Sequence, residues 1–285
     1  MSVKVAAVQM LTGPSKDENV AAAMAMVEEA AGQGADLVCL PEYFTYLGPE
    51  ERYGEVAETV DGETLTGLGD LAVRHGILIH AGSLVEPSPY AGKFFNTSVL
   101  IDRAGKQHGL YRKMHLFDID VPDEVTDQES AFTAPGEELI VVVLPEFAAG
   151  MSICFDLRFP ELYRVLAAAG AQVLFVPAAF AYATGKVHWK VLLQARAIEN
   201  HAYVVAADQE GDACGHPLWG HTMIIDPWGA VLAEREAGGA GVIYADIDIA
   251  EVERRREQVP VLSVRRPDLY EKPVRIENVG PEARI

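Results

Sequence analysis

The chain has 285 residues, of which 49% are hydrophobic, as expected for a globular protein with a large core. Its 23 basic and 42 acidic side chains give a formal net charge of −19, which argues against nucleic acid and anionic membrane surfaces as partners. No continuous apolar run reaches the length of about 18 residues that a membrane-spanning helix needs.

In the first half of the chain, apolar runs rich in Val, Ile and Leu alternate with alanine-rich amphipathic stretches. The alternation predicts strands and helices in turn, with a hairpin turn at Gly105, where a positive φ suits glycine. Strands are expected at residues 3–10, 36–40, 77–85, 97–102 and 110–113, and helices at 19–32 and 64–75.

The second half opens with a polar stretch, residues 118–136, that shows little periodicity and is predicted to be a long loop. Loops of this length are usually functional or disordered. Beyond it, strands are expected at residues 139–144, 150–153, 172–176, 202–207, 221–226, 230–233 and 242–247, and helices at 160–169, 188–200 and 250–258.

The predicted strands are largely apolar and are separated by helices, which favours one α/β domain whose sheets are covered by helices. Two sheets with helices outside them are preferred to one doubly wound sheet, although periodicity alone is compatible with both. The N-terminal segment carries one lysine and lacks a signal-peptide cleavage pattern, so a cytoplasmic location is expected.

The cysteines are widely spaced, form no CxxC pair, and fit a reducing compartment. Cys154 is the candidate nucleophile because it ends a predicted strand just before a helix that starts at Pro160. Such an elbow presents a side chain to a cleft and leaves backbone N–H groups free for an oxyanion. A buried core cysteine fits the local context equally well. The core interpretation is favoured for Cys39, and Cys214 is expected to be a bystander in a polar loop.

Two further candidates also lie next to apolar runs. Glu42 follows the predicted strand at residues 36–40 and could act as a base, or could be an ordinary loop acid. Lys113 stands among large apolar side chains and needs a carboxylate partner unless it is poised for catalysis or lies on an edge strand. Glu129, taken alone, resembles an ordinary exposed acid.

Together, these segments resemble the nitrilase superfamily of carbon–nitrogen hydrolases, from Val3 to about Tyr270. The runs at residues 113–122 and 265–270 are similar to the omega-amidase and deaminated glutathione amidase branch. The other matching segments are residues 34–38, 41–44, 96–98, 111–117, 153–161, 188–189, 194–200, 220–221 and 226–229.

The resemblance implies a four-layer α-β-β-α sandwich, with residues 1–285 forming one domain and an extended C-terminal tail beginning near residue 259. It also implies a homodimer or a higher homo-oligomer. No cofactor is expected, and because the histidines form no HxxxH pattern, no metal site is expected either.

The resemblance further implies a triad of Glu42, Lys113 and Cys154, supported by Glu129. In the mechanism that these residues suggest, the thiol attacks an amide, and Lys113 and the backbone N–H of Phe155 stabilise the oxyanion. A thioester forms, ammonia leaves, and water completes the hydrolysis. A rival Cys–His hydrolase would use His188 or His221 as its base, but no signature around the thiol supports it.

The substrate implied by the resemblance is a small molecule with a linear, non-peptide amide, most closely 2-oxoglutaramate or 2-oxosuccinamate. Deaminated glutathione and N-carbamoyl amines are alternatives, and a non-catalytic binding protein is a further one. Four residues are expected to contact the substrate: Tyr43, Phe180, Lys186 and His188. Lys186, in a Lys-Val pair where the family usually has Pro-Ala, is the candidate contact for a carboxylate.

The remaining matching residues have more than one interpretation. Arg196 and Glu199 are spaced as an i,i+3 pair on one helix and are expected to be structural. Asn96 could line the pocket or belong to the framework. Arg158 is expected to pair with an acid from a loop.

Overall fold

The computed structural model describes residues 2–122, 124–236, 238–270 and 272–273. Among the described residues, α-helices separate the strands in two stretches, residues 2–80 and 148–206, whereas the remaining strands follow one another without an α-helix between them. The helices are α1 (Lys16–Gly32), α2 (Tyr53–Val56), α3 (Glu63–His75), α4 (Pro160–Ala168), α5 (Tyr182–Asn200), α6 (Ile249–Gln258) and α7 (Pro267–Tyr270).

Most strands belong to two large sheets, and the others form two hairpins. The first sheet contains β1 (Ser2–Gln9), β2 (Leu37–Cys39), β3 (Leu78–His80), β4 (Leu84–Pro87), β5 (Phe94–Ile101), β6 (Gln107–Arg112) and β17 (Gly241–Asp248). The second contains β9 (Val141–Val143), β10 (Ala148–Gly150), β11 (Val173–Phe175), β12 (Tyr203–Ala206), β15 (Met223–Ile225) and β16 (Val231–Glu234). The hairpins are β7 (Asp118–Val121) with β8 (Val125–Gln128), and β13 (Glu210–Ala213) with β14 (His216–Trp219).

The two sheets are built alike, each around three parallel strands flanked by antiparallel ones. In the first sheet β1, β2 and β3 run parallel, in the order β17-β1-β2-β3-β5-β4, and β6 also pairs with β5. In the second sheet β10, β11 and β12 run parallel, in the order β16-β15-β12-β11-β10-β9. Ligands bind in such sheets at the carboxyl ends of parallel strands, so loops after these strands are where a site is expected.

The core shows that the sheets and helices form four layers. Along β1, Val5 and Ala7 pack into a cluster that joins the two sheets and includes Trp189 of α5. The alternate residues Ala6 and Val8 pack into a second cluster with buried side chains of α1 and α3. Because successive strand residues face opposite sides, β1 lies between helices and a second sheet. The predicted α-β-β-α sandwich in one domain is therefore confirmed.

The strand predicted at residues 77–85 is interrupted, and the interruption shapes the site. Gly82 has φ 46°, and a Cβ there would lie 2.0 Å from the carbonyl oxygen of Pro41. The next residue, Ser83, donates its N–H to the same oxygen and accepts the N–H of Tyr43 on its Oγ. Strand β3 therefore ends before Gly82, where the chain bends. The bend allows Ser83 to hydrogen-bond the segment that carries Glu42.

Three other local predictions need correction. Residues 118–136 contain the β7–β8 hairpin and a 3₁₀ turn rather than an unstructured loop. Helix α5 begins at Tyr182, six residues before the predicted start, and the β13–β14 hairpin is absent from the prediction. The strands of these hairpins are only four residues long, and although β7 alternates polar and apolar side chains, so short a pattern is a weak sign of a strand.

The C-terminal tail is only partly described. After α6 the chain turns, and Pro267–Tyr270 form the short helix α7 instead of continuing in an extended form. Residues 271 and 274–285 of the predicted tail lie outside the described residues. Among the helices of the described part, none is both long enough and apolar enough to cross a membrane.

Candidate active site

Cys154 lies at the elbow between β10 and α4, as predicted. It opens a 3₁₀ turn, Cys154–Arg158, and its N–H donates to the carbonyl oxygen of Pro177 at 2.9 Å. Its φ of 46° is unusual for a residue with a side chain, and such conformations cluster at functional sites. The N–H of Phe155 has no acceptor among the described residues. The elbow therefore presents a thiol beside an unused hydrogen-bond donor.

Asp156 ties this elbow to the end of β6, and sequence reasoning overlooked it. Its buried carboxylate accepts the N–H of Ile153 at 2.9 Å and the hydroxyl of Tyr111 at 2.6 Å. The other oxygen lies 3.1 Å from the N–H and 2.7 Å from Nδ1 of His115. Because Tyr111 and His115 flank Lys113, the carboxylate fixes the thiol and the ammonium relative to each other.

Glu42 lies in the loop after β2, and only 2% of its surface is exposed. Its Oε1 accepts hydrogen bonds from Lys113 Nζ at 2.9 Å and from Asn96 Nδ2 at 2.8 Å. Its Oε2 accepts the backbone N–H of Ala179 at 2.8 Å, and the charge of the carboxylate acts on the nearby Cys154 thiol. The acid, the amine and the thiol from three distant segments thus converge.

Lys113 is buried just beyond β6 and pairs with two carboxylates. Its Nζ lies 2.9 Å from Glu42 and 2.8 Å from Oε2 of Glu129. Glu129 is held in turn by the N–H of Phe117 at 2.7 Å and the hydroxyl of Tyr43 at 3.1 Å. An ammonium has three N–H donors, so one remains available for a further acceptor in the cavity.

Burial and neighbouring charges set the protonation states of the site. Burial raises the pKa of the Cys154 thiol well above its usual value, and the charge of Glu42 adds to the effect while Lys113 opposes it. Burial alone would lower the pKa of Lys113, but the carboxylates of Glu129 and Glu42 hold it well above its usual value. The resting site therefore contains a neutral thiol and a charged ammonium, and the thiol needs a base to become a nucleophile.

A cavity of about 710 Å³ opens onto these groups. Glu42, Lys113 and Cys154 all line it, as do two predicted contact residues, Tyr43 and Phe180. The β7–β8 and β13–β14 hairpins form part of its wall. A volume of this size accommodates a small organic molecule.

The structure separates the two predicted contacts of α5. Lys186 lines the cavity, but its Nζ lies 3.3 Å from a carboxylate oxygen of Glu124, so its charge is already paired. His188 is exposed and is not among the cavity-lining residues; its Nδ1 lies 3.1 Å from Nη1 of Arg158. Because α5 begins at Tyr182, residues two positions apart point in different directions. The predicted contact of His188 with the substrate is therefore not supported, because this side chain does not line the cavity.

One further expectation about the site is wrong. Arg158 does not pair with a loop acid; its guanidinium lies over the rings of Phe155 and Phe180, at 5.5 and 5.2 Å from their centroids. Cys214 lies in the turn of the β13–β14 hairpin, in the cavity wall, and its role as a bystander stays a prediction.

Contacts in the structure show what Asn96, His221 and Arg196, whose roles the sequence left open, actually touch. Asn96 touches Glu42 directly, whereas Nδ1 of His221 pairs with Glu234 and its ring stacks on Trp219. The predicted pair is also present, with 2.9 Å between Arg196 and an oxygen of Glu199. In addition, the Arg196 guanidinium donates to the carbonyl oxygen of Leu157, so it supports the elbow.

Asp208 is a second buried acid that sequence reasoning missed. Its Oδ1 accepts the N–H groups of Phe180 and Gln209, each at 2.9 Å. Burial raises its pKa well above the usual value, and the charge of Glu42 contributes. The available signal was its position directly after the buried run 202–207, the same placement that identified Glu42.

A thiol, a carboxylate and an ammonium at the floor of a small cavity, on an α-β-β-α sandwich, define a hydrolase that uses cysteine. Residues 4–257 match the family model of the carbon–nitrogen hydrolases, and the chain belongs to this family. The predicted membership of the nitrilase superfamily is confirmed. The chain is an enzyme that acts on linear amides rather than on peptide bonds.

Relatives that are named as amidases match this chain over nearly their whole length. The chain is 38% identical to human omega-amidase NIT2 over 270 residues, covering 94% of this chain and 97% of the relative. It is 45% identical to a deaminated glutathione amidase from Synechocystis over 267 residues, covering 91% and 97%. A mutant amidase from Nesterenkonia, with the acetamide moiety of fluoroacetamide added covalently at its active-site cysteine, matches with a TM-score of 0.79 and 27% identity, covering 94% of this chain and 95% of the other.

Proposed function

We propose that the protein hydrolyses a linear amide through a thioester on Cys154, with Glu42 as the base. The observation that carries the proposal is the convergence of thiol, carboxylate and ammonium at one end of a single cavity. Because the thiol is protonated at rest, it needs a base beside it, and Glu42 is the cavity-lining carboxylate whose charge acts most strongly on it.

Acylation uses groups that are already in place. Glu42 takes the thiol proton as Sγ bonds to the amide carbon, and the carbonyl π electrons move to oxygen. The free N–H of Lys113 and the N–H of Phe155 stabilise the oxyanion. As the oxyanion collapses, the carbon–nitrogen bond breaks and Glu42 returns its proton to the departing ammonia, leaving a thioester.

Deacylation repeats the sequence with water. Glu42 removes a proton from the water, whose oxygen attacks the thioester carbon, and the same two donors bind the new oxyanion. The carbon–sulfur bond then breaks, the thiolate regains its proton, and the carboxylic acid leaves. Glu129 supports both steps as a positioning residue, because it holds Lys113 while being held by Tyr43 and Phe117.

For the substrate, we propose small omega-amides of 2-oxo-dicarboxylic acids, namely 2-oxoglutaramate and 2-oxosuccinamate. The support comes from the names of the relatives and from a cavity of suitable size. The relative named deaminated glutathione amidase supports the alternative substrate, deaminated glutathione. Tyr43 and Phe180 are the proposed contacts in the cavity wall.

The substrate proposal is tested by ammonia release from a panel of candidates. The panel contains both 2-oxo omega-amides, deaminated glutathione, glutamine, asparagine, an N-carbamoyl amine and a simple nitrile. We expect kcat/KM for the best 2-oxo omega-amide to exceed that for glutamine by about 10²-fold or more, since a site built for one polar group discriminates strongly. Equal rates with glutamine, or a preference for the N-carbamoyl amine, would contradict the substrate while leaving the reaction class intact.

We also propose that the protein forms a homodimer through α4 and α5. Three exposed apolar side chains share one face of α5: Val187, Val191 and Ile198, which are 59%, 65% and 49% exposed. Val165 of α4 is exposed beside the same layer. Exposed apolar side chains gathered on one helix face are typical of protein contacts. Light scattering is expected to give the mass of a dimer, and Val191→Glu to give a monomer; a monomeric wild type would refute the arrangement.

We also propose that the protein is located in the cytoplasm. The nucleophile must remain a free thiol, and Cys39, Cys154 and Cys214 are all unpaired. Thiols persist in the reducing cytoplasm and tend to be oxidised in secreted proteins. Cell fractionation with a detection tag checks this expectation, and recovery of the protein outside the cytoplasm would contradict it.

A further inference from the structure

Asp127 faces the candidate active site from the β7–β8 hairpin. It belongs to β8 and lines the cavity, two residues before Glu129, whose carboxylate pairs with Lys113. Both acids line the same cavity. Unlike Glu129, the Asp127 carboxylate has no hydrogen bond or ion pair to any described residue, and it is partly buried.

Charged groups from four other elements act on Asp127. Burial raises its pKa first, and the charges of Glu129 in the 3₁₀ turn and Glu50 in the turn before α2 add to the effect, giving a value of about 6. His216 of β14 and Lys113 after β6 act in the opposite direction. The carboxyl is therefore half ionised near pH 6, mostly neutral at pH 5 and mostly negatively charged at pH 7.

Apart from His216, the cavity lining offers little to offset that charge, and Arg158 lies over Phe155 and Phe180 without lining the cavity itself. Its described lining contains two lysines, and both are within 3.3 Å of a carboxylate: Lys113 with Glu42 and Glu129, and Lys186 with Glu124. An anionic substrate that enters the cavity therefore meets the field of Asp127 without an unpaired lysine to compensate it. A neutral substrate meets no such penalty.

We propose that Asp127 is a specificity-determining residue, whose carboxylate disfavours negatively charged substrates and whose neutral form admits them. This inference rests on the proposed function for its biological meaning, because the proposed 2-oxo omega-amides are anions. It goes further by naming the residue that sets the charge preference. Binding of the anionic amides weakens as the pH rises through about 6, while binding of neutral amides does not follow this titration.

Alkylation of Cys154 tests the inference with two reagents that are similar in size but differ in charge. Iodoacetate is an anion and iodoacetamide is neutral; with either, Sγ bonds to the methylene carbon, iodide leaves, and the thiol proton passes to Glu42. The rate is read by mass spectrometry on the peptide containing Cys154, since Cys214 also lines the cavity. The ratio of the two rates cancels the common dependence on thiol ionisation.

At pH 7.5 we expect Asp127→Asn to raise the iodoacetate rate relative to the iodoacetamide rate by about 5- to 30-fold, as expected for removing one charge several ångströms away. The wild-type ratio is expected to approach that of the variant at pH 5. Asp120→Asn, which removes a charge from the exposed side of the same hairpin, is expected to leave the ratio unchanged. An unaltered ratio in Asp127→Asn, or an equal shift in Asp120→Asn, overturns the inference.

The same variants separate this inference from the proposed function. KM for 2-oxosuccinamate at pH 7.5 is expected to fall about 5- to 30-fold in Asp127→Asn relative to KM for a neutral amide such as propionamide. If the alkylation ratio shifts but no amide releases ammonia, the proposed function fails and Asp127 keeps its role. If amides are hydrolysed and neither ratio shifts, only the role of Asp127 fails.

Discussion

Replacing Cys154 with serine is expected to reduce ammonia release by about 10⁴-fold or more while leaving the fold intact, since loss of the nucleophile removes the whole covalent pathway. A serine hydroxyl would occupy nearly the same position beside Glu42, but its proton is far harder to remove than that of a thiol. The measurement is kcat/KM on the best amide of the panel, together with thermal unfolding of both proteins.

The matched control is Cys214→Ser, which changes a thiol to a hydroxyl in the wall of the same cavity. We expect its kcat/KM to stay within about tenfold of wild type, because its thiol does not contact Glu42 or Lys113. Substantial hydrolysis by Cys154→Ser would show that another group attacks the amide. Unfolding of the variant at a much lower temperature would instead show that the thiol has a mainly structural role.

Replacing Lys113 with alanine is expected to damage both activity and stability. Loss of one oxyanion donor costs about 10²–10³ in kcat. The change also leaves Glu42 and Glu129 buried without their shared cation, and a broken buried ion pair costs about 3–5 kcal/mol. Enzyme kinetics and denaturant unfolding measure the two effects separately, with exposed Lys106→Ala as the control that is expected to change neither.

A triple variant distinguishes charge compensation from catalysis. Lys113→Met combined with Glu42→Gln and Glu129→Gln removes all three charges, so much of the lost stability is expected to return. Activity is expected to remain absent, since the base and the oxyanion donor are both missing. A Lys113→Ala variant that retained more than a tenth of wild-type kcat would contradict the proposed role of the ammonium.

The main candidate residues were predictable because each stands at or near the end of a strand. Glu42 follows β2, Lys113 follows β6, and Cys154 comes shortly after β10, and these strand ends all meet at the cavity. A strand that ends at a reactive side chain is visible in the sequence, and the direction of parallel strands brings such ends together. The two-sheet architecture was favoured for the same reason, because most strands are buried on both faces.

Other features left no local signal. Asp156 is bonded to Tyr111, 45 residues away, and neither residue suggests this contact on its own. Helix α5 is preceded by Ala181, which offers no capping side chain, so nothing in the sequence marked its first turn as helical. The prediction therefore started the helix too late and gave His188 the wrong direction. Asp127 resembled a surface acid because the hairpin that carries it lines a cavity instead of covering an apolar core.

The most direct test of a thioester on this chain is the partitioning of its acyl group between water and hydroxylamine. Two substrates are compared that share an acyl group but differ in leaving group, the primary amide and the matching N-methylamide. A common acyl-enzyme on Cys154 predicts the same ratio of acid to hydroxamate from both, and an acyl adduct on the Cys154 peptide after acid quench. Ratios that depend on the leaving group, or an adduct on a different residue, would contradict the account.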